Sequence, residues 1–253
     1  MEIKEFFKLH KTVAVALSGG VDSAVLLLLA KRYAEKVYAC FVKSDFQPEF
    51  EQKDAVEICN LLNQKLMILN VDVLNNENII ANSSERCYFC KKNIFSKIAE
   101  FAESVGADAV VEGTNASDDI EDRAGYKALK ESGVFSPLRL CGIDKQTVRE
   151  IARENALPVA DKPSYACLAT RIPTGTRITK EILVKTEKAE NELFKLGFFD
   201  FRIRYFNGSA KLQITDNDIE RLLHNRKKIL NKIGQYYDDI LLDLKVRDNN
   251  EQG

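Results

Sequence analysis

The chain of 253 residues has almost no surplus of charge: 37 Lys and Arg stand against 38 Asp and Glu, and neither half is strongly basic. A broad nucleic-acid-binding face is therefore not indicated. No apolar run approaches the roughly 18 residues that a membrane span needs. The opening MEIKEFFKLHKTVAVALSGG also lacks the apolar stretch and small-residue cleavage site of a secretion signal. A cytoplasmic chain with no membrane association is the expectation. Six cysteines are too few for a disulfide scaffold, and in a reducing compartment paired cysteines point instead to metal or redox chemistry. Internal repeats and low-complexity tracts are absent. What is present is a globular composition: 45% hydrophobic residues exclude disorder as the main state. At about 150 residues per domain, the length gives a main domain and an appendage.

The first half alternates short β-branched runs with longer helical patterns. Strands are expected at Lys11 to Leu17, from Lys36 (KVYACFV), from Lys65 (KLMILNV) and at Ala107 to Glu112, with helices at Val21 to Ala34, around Glu49 to Asn63 and around Lys91 to Val105. Such alternation predicts right-handed βαβ units and a doubly wound parallel sheet of the α/β class. The stretch 157–178 holds three of the five prolines and reads as a linker or an ordered functional loop. After it the order becomes helix (Lys180 to Leu196), strand (Phe201 to Tyr205), strand (Ala210 to Ile214), helix (Asn217 to Ile233) and strand (Ile240 to Leu244). The expected organisation is a main domain over 1–156, the proline-rich segment, a small α+β domain over 179–248 that serves substrate binding or oligomerisation, and a polar tail over 249–253.

Leu17-Ser18-Gly19-Gly20-Val21-Asp22-Ser23 lies where the first strand should end and the first helix begin. Two glycines allow a tight turn and close approach of an anion, while the N–H groups and positive dipole end of the new helix can hold phosphate oxygens. Ser18 and Ser23 add hydroxyls, and Asp22 either holds Mg²⁺ or caps the helix. The phosphate-loop pattern GxxxxGK[ST] does not fit, so there is no lysine of that kind. A lone SGG is usually an ordinary turn; the whole phrase directly after a buried strand argues for the anion. SGGVDS resembles the pyrophosphate loop of the ATP pyrophosphatases, the superfamily of GMP synthetase, NAD synthetase, asparagine synthetase and several tRNA thiolation enzymes. The resemblance implies cleavage of ATP between its α and β phosphates, with a carboxylate or carbonyl oxygen activated as an adenylate. It places Ser18, Gly19, Gly20, Asp22 and Ser23 on the loop, Ser44 near the nucleotide, and Phe41 and Val42 near the adenine.

Cys87 and Cys90 form a CxxC followed by Lys91 and Lys92 at an expected helix start, a setting that favours thiolates. By itself CxxC suits a zinc half-site, a redox pair or an iron–sulfur half-site. Cys167 lies inside the proline-rich segment; Cys40, Cys59 and Cys141 read as ordinary buried or incidental residues. Structural zinc wants four ligands, and the two histidines, His10 and His224, lie far from these cysteines in sequence. Three thiolates favour a 4Fe-4S cluster with one open iron over zinc.

The phrases RCYFCKK, EGTNASDD, FSPLR and KPSYACLATRIPTG, in this order, together resemble the LarE-type sulfur transferases. That resemblance implies a small-molecule partner, pyridinium-3,5-biscarboxylic acid mononucleotide. Its carboxylates are adenylated at the expense of ATP and converted to thiocarboxylates for a nickel-pincer cofactor. The family has two branches. In one, the cysteine here numbered Cys167 gives up its own sulfur; in the other it joins a CxxC pair to hold a 4Fe-4S cluster bearing the transferred sulfide. Cys87, Cys90 and Cys167 together resemble the second branch.

Gly113-Thr114-Asn115 follows a predicted strand, where a doubly wound sheet places its ligand crevice, although a simple Asn-capped turn is an equal reading. Asp118 and Asp119 are either Mg²⁺ ligands or a solvated acidic loop. Arg171 is a candidate for a substrate phosphate or carboxylate. Arg202 and Arg204 alternate on one face of a strand and either bind substrate phosphate or form a charged outer face. A homo-oligomer is expected. The rival readings are a tRNA thiolase, an ammonia-using ligase that needs no cysteines, and a nucleotide- or cluster-binding protein without catalysis.

Overall fold

A computed structural model describes residues 1–119 and 124–247. The expected polar tail from residue 248 onward lies outside them. The structure divides into two compact units, one built from Met1–Val73 and Ser84–Lys162, the other from Leu74–Ser83 and Pro163–Gly253.

The first unit is α/β. Strands β1 (Thr12–Ala16), β2 (Lys36–Lys43), β3 (Leu66–Asn70) and β4 (Ala109–Val111) form one parallel sheet in the order β3-β2-β1-β4. Successive crossovers therefore run outward from β1 to β3, and the chain then returns to the other side of β1. The order reverses at β1, so the crevice for a ligand opens at the carboxyl ends of β1 and β4. The helix Val21–Tyr33 buries Ala24, Val25, Leu26 and Leu27 in the same core as Val13 and Val15 of β1 and Val148 and Ala152 of the helix Lys145–Glu154. A helix apolar on most of its circumference is one covered on both sides.

The second unit has β5 (Phe201–Phe206), β6 (Ser209–Ile214) and β7 (Ile240–Leu242), with β5 and β6 antiparallel and β6 and β7 parallel. Asn207 and Gly208 join β5 to β6 with φ of 48° and 90°, the two left-handed positions that let a two-residue hairpin follow strand twist. The helix Lys180–Lys195 shares a core with this sheet through Ala189, Leu193, Phe201, Ile203 and Leu212.

Two differences from the sequence expectation have local causes. The helix expected from Lys91 spans Arg86–Ser104; nothing between Arg86 and Ser104 breaks a helix, so the CxxC is wound into its first turn. The single helix expected over Asn217 to Ile233 is broken into Ile219–His224 and Arg226–Ile233, with the Asn225 side chain donating to the Arg221 carbonyl at 2.9 Å in competition with the backbone. The helices Ala124–Glu131 and Lys145–Glu154 were not anticipated. Among the described residues, no helix is long and apolar enough to cross a membrane.

Candidate active site

The turn after β1 is held from within. Ser23 Oγ donates to the Gly20 carbonyl at 3.0 Å and accepts from the Ser18 amide at 3.1 Å. The Ser18 and Ser23 hydroxyls also lie 3.1 Å apart. Gly19 has φ of 83°, and a Cβ there would stand 2.5 Å from the Glu51 carbonyl oxygen. Glycine is thus required twice over, by conformation and by space. Gly20 differs: as the residue capping the helix Val21–Tyr33, a Cβ on it would meet nothing closer than Ser18 Oγ at 3.5 Å. The space before the first N–H groups of this helix is the open cradle that an anion needs.

Residues from β4 and beyond close in on that turn. A Cβ on Gly113 would lie 2.8 Å from the Ser23 amide nitrogen, so the end of β4 abuts the start of the helix. Asn115, 1% exposed, donates from Nδ2 to Asp22 Oδ1 at 3.1 Å. Lys145, the first residue of the helix Lys145–Glu154, reaches Asp22 Oδ2 with its ammonium at 2.5 Å. Asp22 thus carries a carboxylate oriented by Asn115 and neutralised by a lysine, a donor that fits Mg²⁺ alongside phosphate oxygens. Asp118 accepts from the Asn115 amide at 2.9 Å, which makes it the acceptor of a local turn, and Asp119 is exposed. Glu112 ties the same loop together by accepting from the Thr114 amide at 3.1 Å, the Thr114 hydroxyl at 2.8 Å and the Ser136 hydroxyl.

Lys145 was not anticipated from the sequence. Its signal is the helix start Asp144-Lys145-Gln146-Thr147, in which Asp144 accepts from the Thr147 amide at 2.8 Å. That bond holds the Asp144 carboxyl below its ordinary pKa. Phe41 and Ser44 do not face an opening. The Phe41 ring lies inside the core, because alternate residues of a strand covered on both faces are all enclosed. Ser44 makes a turn after β2, donating to Gln47 Oε1 at 2.5 Å and accepting from the Phe46 amide at 3.2 Å.

The cysteines separate into two kinds. Burial pushes the Cys40 thiol up to about 12 and that of Cys59 up to about 11, the latter opposed by Lys31, and burial also raises Cys141. Such thiols keep their protons at neutral pH. Cys87 is exposed and Cys90 half-buried on the first turn of Arg86–Ser104, three residues apart and so on one helical face. Arg86 donates to Cys87 Sγ at 3.5 Å. Two sulfurs so placed have the chemistry of a half-site for iron. Among the described residues, no three His, Cys, Asp or Glu side chains form a group that would hold a metal ion.

Cys167 belongs to the second unit, half-buried at the start of the 3₁₀ turn Leu168–Arg171. Its carbonyl accepts from the Thr170 amide at 3.0 Å and the Thr170 hydroxyl at 2.8 Å. Arg171 is 1% exposed, its Nε donating to Glu190 Oε1 at 2.7 Å. Burial opposes its charge, yet Glu190 holds its pKa above the ordinary value. A guanidinium so enclosed works on the protein's own loop, and this places Arg171 away from direct contact with a ligand. Arg202 and Arg204 do share a face, and it is not an outer one. Arg202 donates to the Ser164 carbonyl at 2.6 Å and Arg204 to the Thr170 carbonyl at 3.2 Å, so both reach the segment around Cys167. Burial, then the guanidiniums of Arg171 and Arg247, bring Arg202 down to about 9. It is still charged at neutral pH. Arg204 is half-buried, the most accessible of the three.

Comparison with known families matches residues 1–153 to the PP-loop domain. The chain belongs to the PP-loop family. A protein of Methanocaldococcus jannaschii without assigned function is 32% identical over 245 residues, covering 96% of this PP-loop chain and 93% of the relative. A second such relative, from Synechocystis, is 31% identical over 225 residues, 88% of this chain and 84% of its own. The pyridinium-3,5-bisthiocarboxylic acid mononucleotide synthase of Lactiplantibacillus plantarum is 29% identical over 206 residues, 81% of this chain and 75% of the synthase. The likeness to LarE-type proteins therefore extends past the PP-loop domain into the second unit. As a PP-loop protein, this chain is an ATP-using enzyme.

Proposed function

We propose that the protein is an ATP-dependent sulfurtransferase that converts carboxylates of pyridinium-3,5-biscarboxylic acid mononucleotide to thiocarboxylates. The observation that carries this reading is the partition of the cysteines. Cys40 and Cys59 are buried, whereas Cys87 in the CxxC is exposed and Cys90 and Cys167 are half-buried, on a chain that is 29% identical to a synthase of the bisthiocarboxylic product.

A substrate carboxylate oxygen attacks the α-phosphorus of ATP, the bond to the bridging oxygen of the β-phosphate breaks, and pyrophosphate leaves. Amides at Gly19 and Gly20 and the first turn of Val21–Tyr33 take up the charge that develops on it, with the Ser18 and Ser23 hydroxyls beside them. Lys145 supplies a positive charge at the same place, and Asp22 is the ligand for Mg²⁺. A sulfur nucleophile then attacks the acyl carbon and AMP departs. Cys87, Cys90 and Cys167 would hold a 4Fe-4S cluster, which when bound leaves one iron to carry the sulfide. Arg204 is assigned to the substrate phosphate, with Arg202 adding positive charge behind it.

The test is anaerobic purification followed by iron and acid-labile sulfide assay of the wild type and of Cys87→Ala, Cys90→Ala and Cys167→Ala, together with pyrophosphate release on adding the pyridinium substrate. Substrate-dependent pyrophosphate release and about four irons per chain, lost in every variant, support the reading. Iron-free protein that thiolates one carboxylate per chain would transfer the sulfur source to Cys167 itself. No pyrophosphate release with this substrate would overturn the assignment.

A further inference from the structure

Glu190 is 1% exposed and lies on the helix Lys180–Lys195, far in sequence from every motif that points to ATP or sulfur. Its carboxylate is nonetheless where the two arms of the Cys167 segment meet. Tyr165, two residues before Cys167, donates its hydroxyl to Oε2. Arg171, four residues after Cys167, donates from Nε to Oε1 at 2.7 Å and from NH2 to Oε2 at 3.5 Å. The Ile203 amide of β5 donates to Oε1 at 3.0 Å, which anchors the carboxylate to the sheet.

The segment between these arms is tied back to the same network. Arg171 NH1 donates to the Ala166 carbonyl at 3.2 Å and to Thr170 Oγ1 at 2.8 Å, and Thr170 Oγ1 donates in turn to the Cys167 carbonyl at 2.8 Å. The Tyr165 ring lies beside two guanidiniums, with Arg171 4.3 Å and Arg202 4.9 Å from its centroid. Arg202 and Arg247 both donate to the Ser164 carbonyl, at 2.6 and 3.3 Å. A loop of this length has many conformations available in isolation. Here its backbone carbonyls at Ser164, Ala166, Cys167 and Thr170 are all engaged by side chains, and those at Ala166 and Cys167 trace through Arg171 to one carboxylate.

We propose that Glu190 is the positioning residue of the Cys167 loop: a single enclosed carboxylate clamps Tyr165 and Arg171, and thereby fixes where the Cys167 sulfur is presented. The proposal rests on the sulfur-transfer reading for its purpose and on the contacts above for its geometry. Its specific consequence is a split between half-reactions. Adenylation belongs to the PP-loop and is left intact when the clamp is loosened, whereas delivery of sulfur is not.

Two variants and two kinds of measurement test it. Tyr165→Phe releases one arm while keeping the ring, and Glu190→Gln disturbs both. In reduced, metal-free protein with no substrate, amide exchange and the iodoacetamide alkylation rate of Cys167 are followed by mass spectrometry, with Cys87 as internal reference. Both variants should accelerate exchange across 165–171 by about tenfold or more and change the alkylation rate of Cys167 but not of Cys87. With ATP and the pyridinium substrate, Tyr165→Phe should release pyrophosphate at the wild-type rate while forming about tenfold less thiocarboxylate. If Glu190→Gln does not fold, Tyr165→Phe decides alone. Exchange in 165–171 that stays at the wild-type rate, or that rises equally throughout the second unit, overturns the clamp. So does an equal fall in pyrophosphate and thiocarboxylate. If the wild type forms no thiocarboxylate, the functional reading fails, and the exchange and alkylation measurements still judge the clamp.

Discussion

A lysine next to an aspartate is ordinarily a minor contributor to stability, and the pair Lys145 and Asp22 shows why its location matters more than its strength. Both side chains are about a third or a quarter exposed, at 34% and 26%, and water screens such a pair to about 1 kcal/mol or less. The chain has no phosphate-loop lysine within its glycine turn, and in the proposed mechanism Lys145, held against Asp22, supplies a positive charge there. Lys145→Met is therefore expected to leave the melting temperature within a few degrees of wild type. The same substitution should lower substrate-dependent pyrophosphate release by about 10²-fold, the scale for removing a preorganised charge from a developing anion. Calorimetry and a pyrophosphate assay on the same preparation separate the two. Unchanged turnover would reduce Lys145 to a neutraliser of Asp22. The cysteines teach the same lesson about single residues: Cys40 reads from its strand as an ordinary buried residue, and burial, which raises its thiol to about 12, sets it apart from the exposed Cys87.

At the scale of elements, Leu74–Ser83 carries the clearest local demand. Asn82 is 0% exposed, has φ of 55°, and donates from one Nδ2 to the carbonyls of Ile172 at 3.3 Å, Pro173 at 2.8 Å and Thr176 at 2.9 Å. The Gly175 amide returns a bond to the Asn82 carbonyl at 2.9 Å, and the Ile178 amide one to Ile80 at 2.8 Å. Asn82→Ala strips partners from one buried and two part-buried carbonyls and puts a less tolerant residue in a left-handed conformation. A loss of about 2–4 kcal/mol in chemical denaturation of the full chain is expected; a loss below about 0.5 kcal/mol would show that water satisfies those carbonyls. This contact illustrates what sequence reading reaches and what it misses. The parallel sheet, the glycine turn and the hairpin strands were legible because each is written in consecutive residues, as apolar runs, paired glycines or alternation. Arg171, Arg202 and Arg204 were legible as charges, but their partners were not. Glu190 sits in an ordinary amphipathic helix, and the inward face of Phe201–Phe206 is decided by what packs on it. The CxxC was placed ahead of its helix because Cys, Tyr and Phe are middling helix formers, yet with no breaker between Arg86 and Ser104 the helix starts ahead of them.

Across the whole molecule, the two units are not two consecutive pieces of chain. Leu74–Ser83 leaves the sheet unit after β3 and belongs to the second unit, and the chain returns just ahead of Cys87; the last passage, at Lys162 to Pro163, comes just ahead of Cys167. The CxxC and the Cys167 segment therefore both begin shortly after the backbone has changed unit. Ile79 and Ile80 are enclosed in a four-residue helix, Glu77–Ile80, far too short to persist without tertiary support. A chain ending at Lys162 keeps all four strands of the first sheet and the glycine turn but removes the residues that hold this helix. Such a chain is expected to be cut by trypsin or a broad-specificity protease within Leu74–Ser83 under conditions where the full chain resists, with the fragments located by mass spectrometry. Resistance of 74–83 in the shortened chain would mean that the segment is secured by the first unit, and the division of the molecule would have to be redrawn.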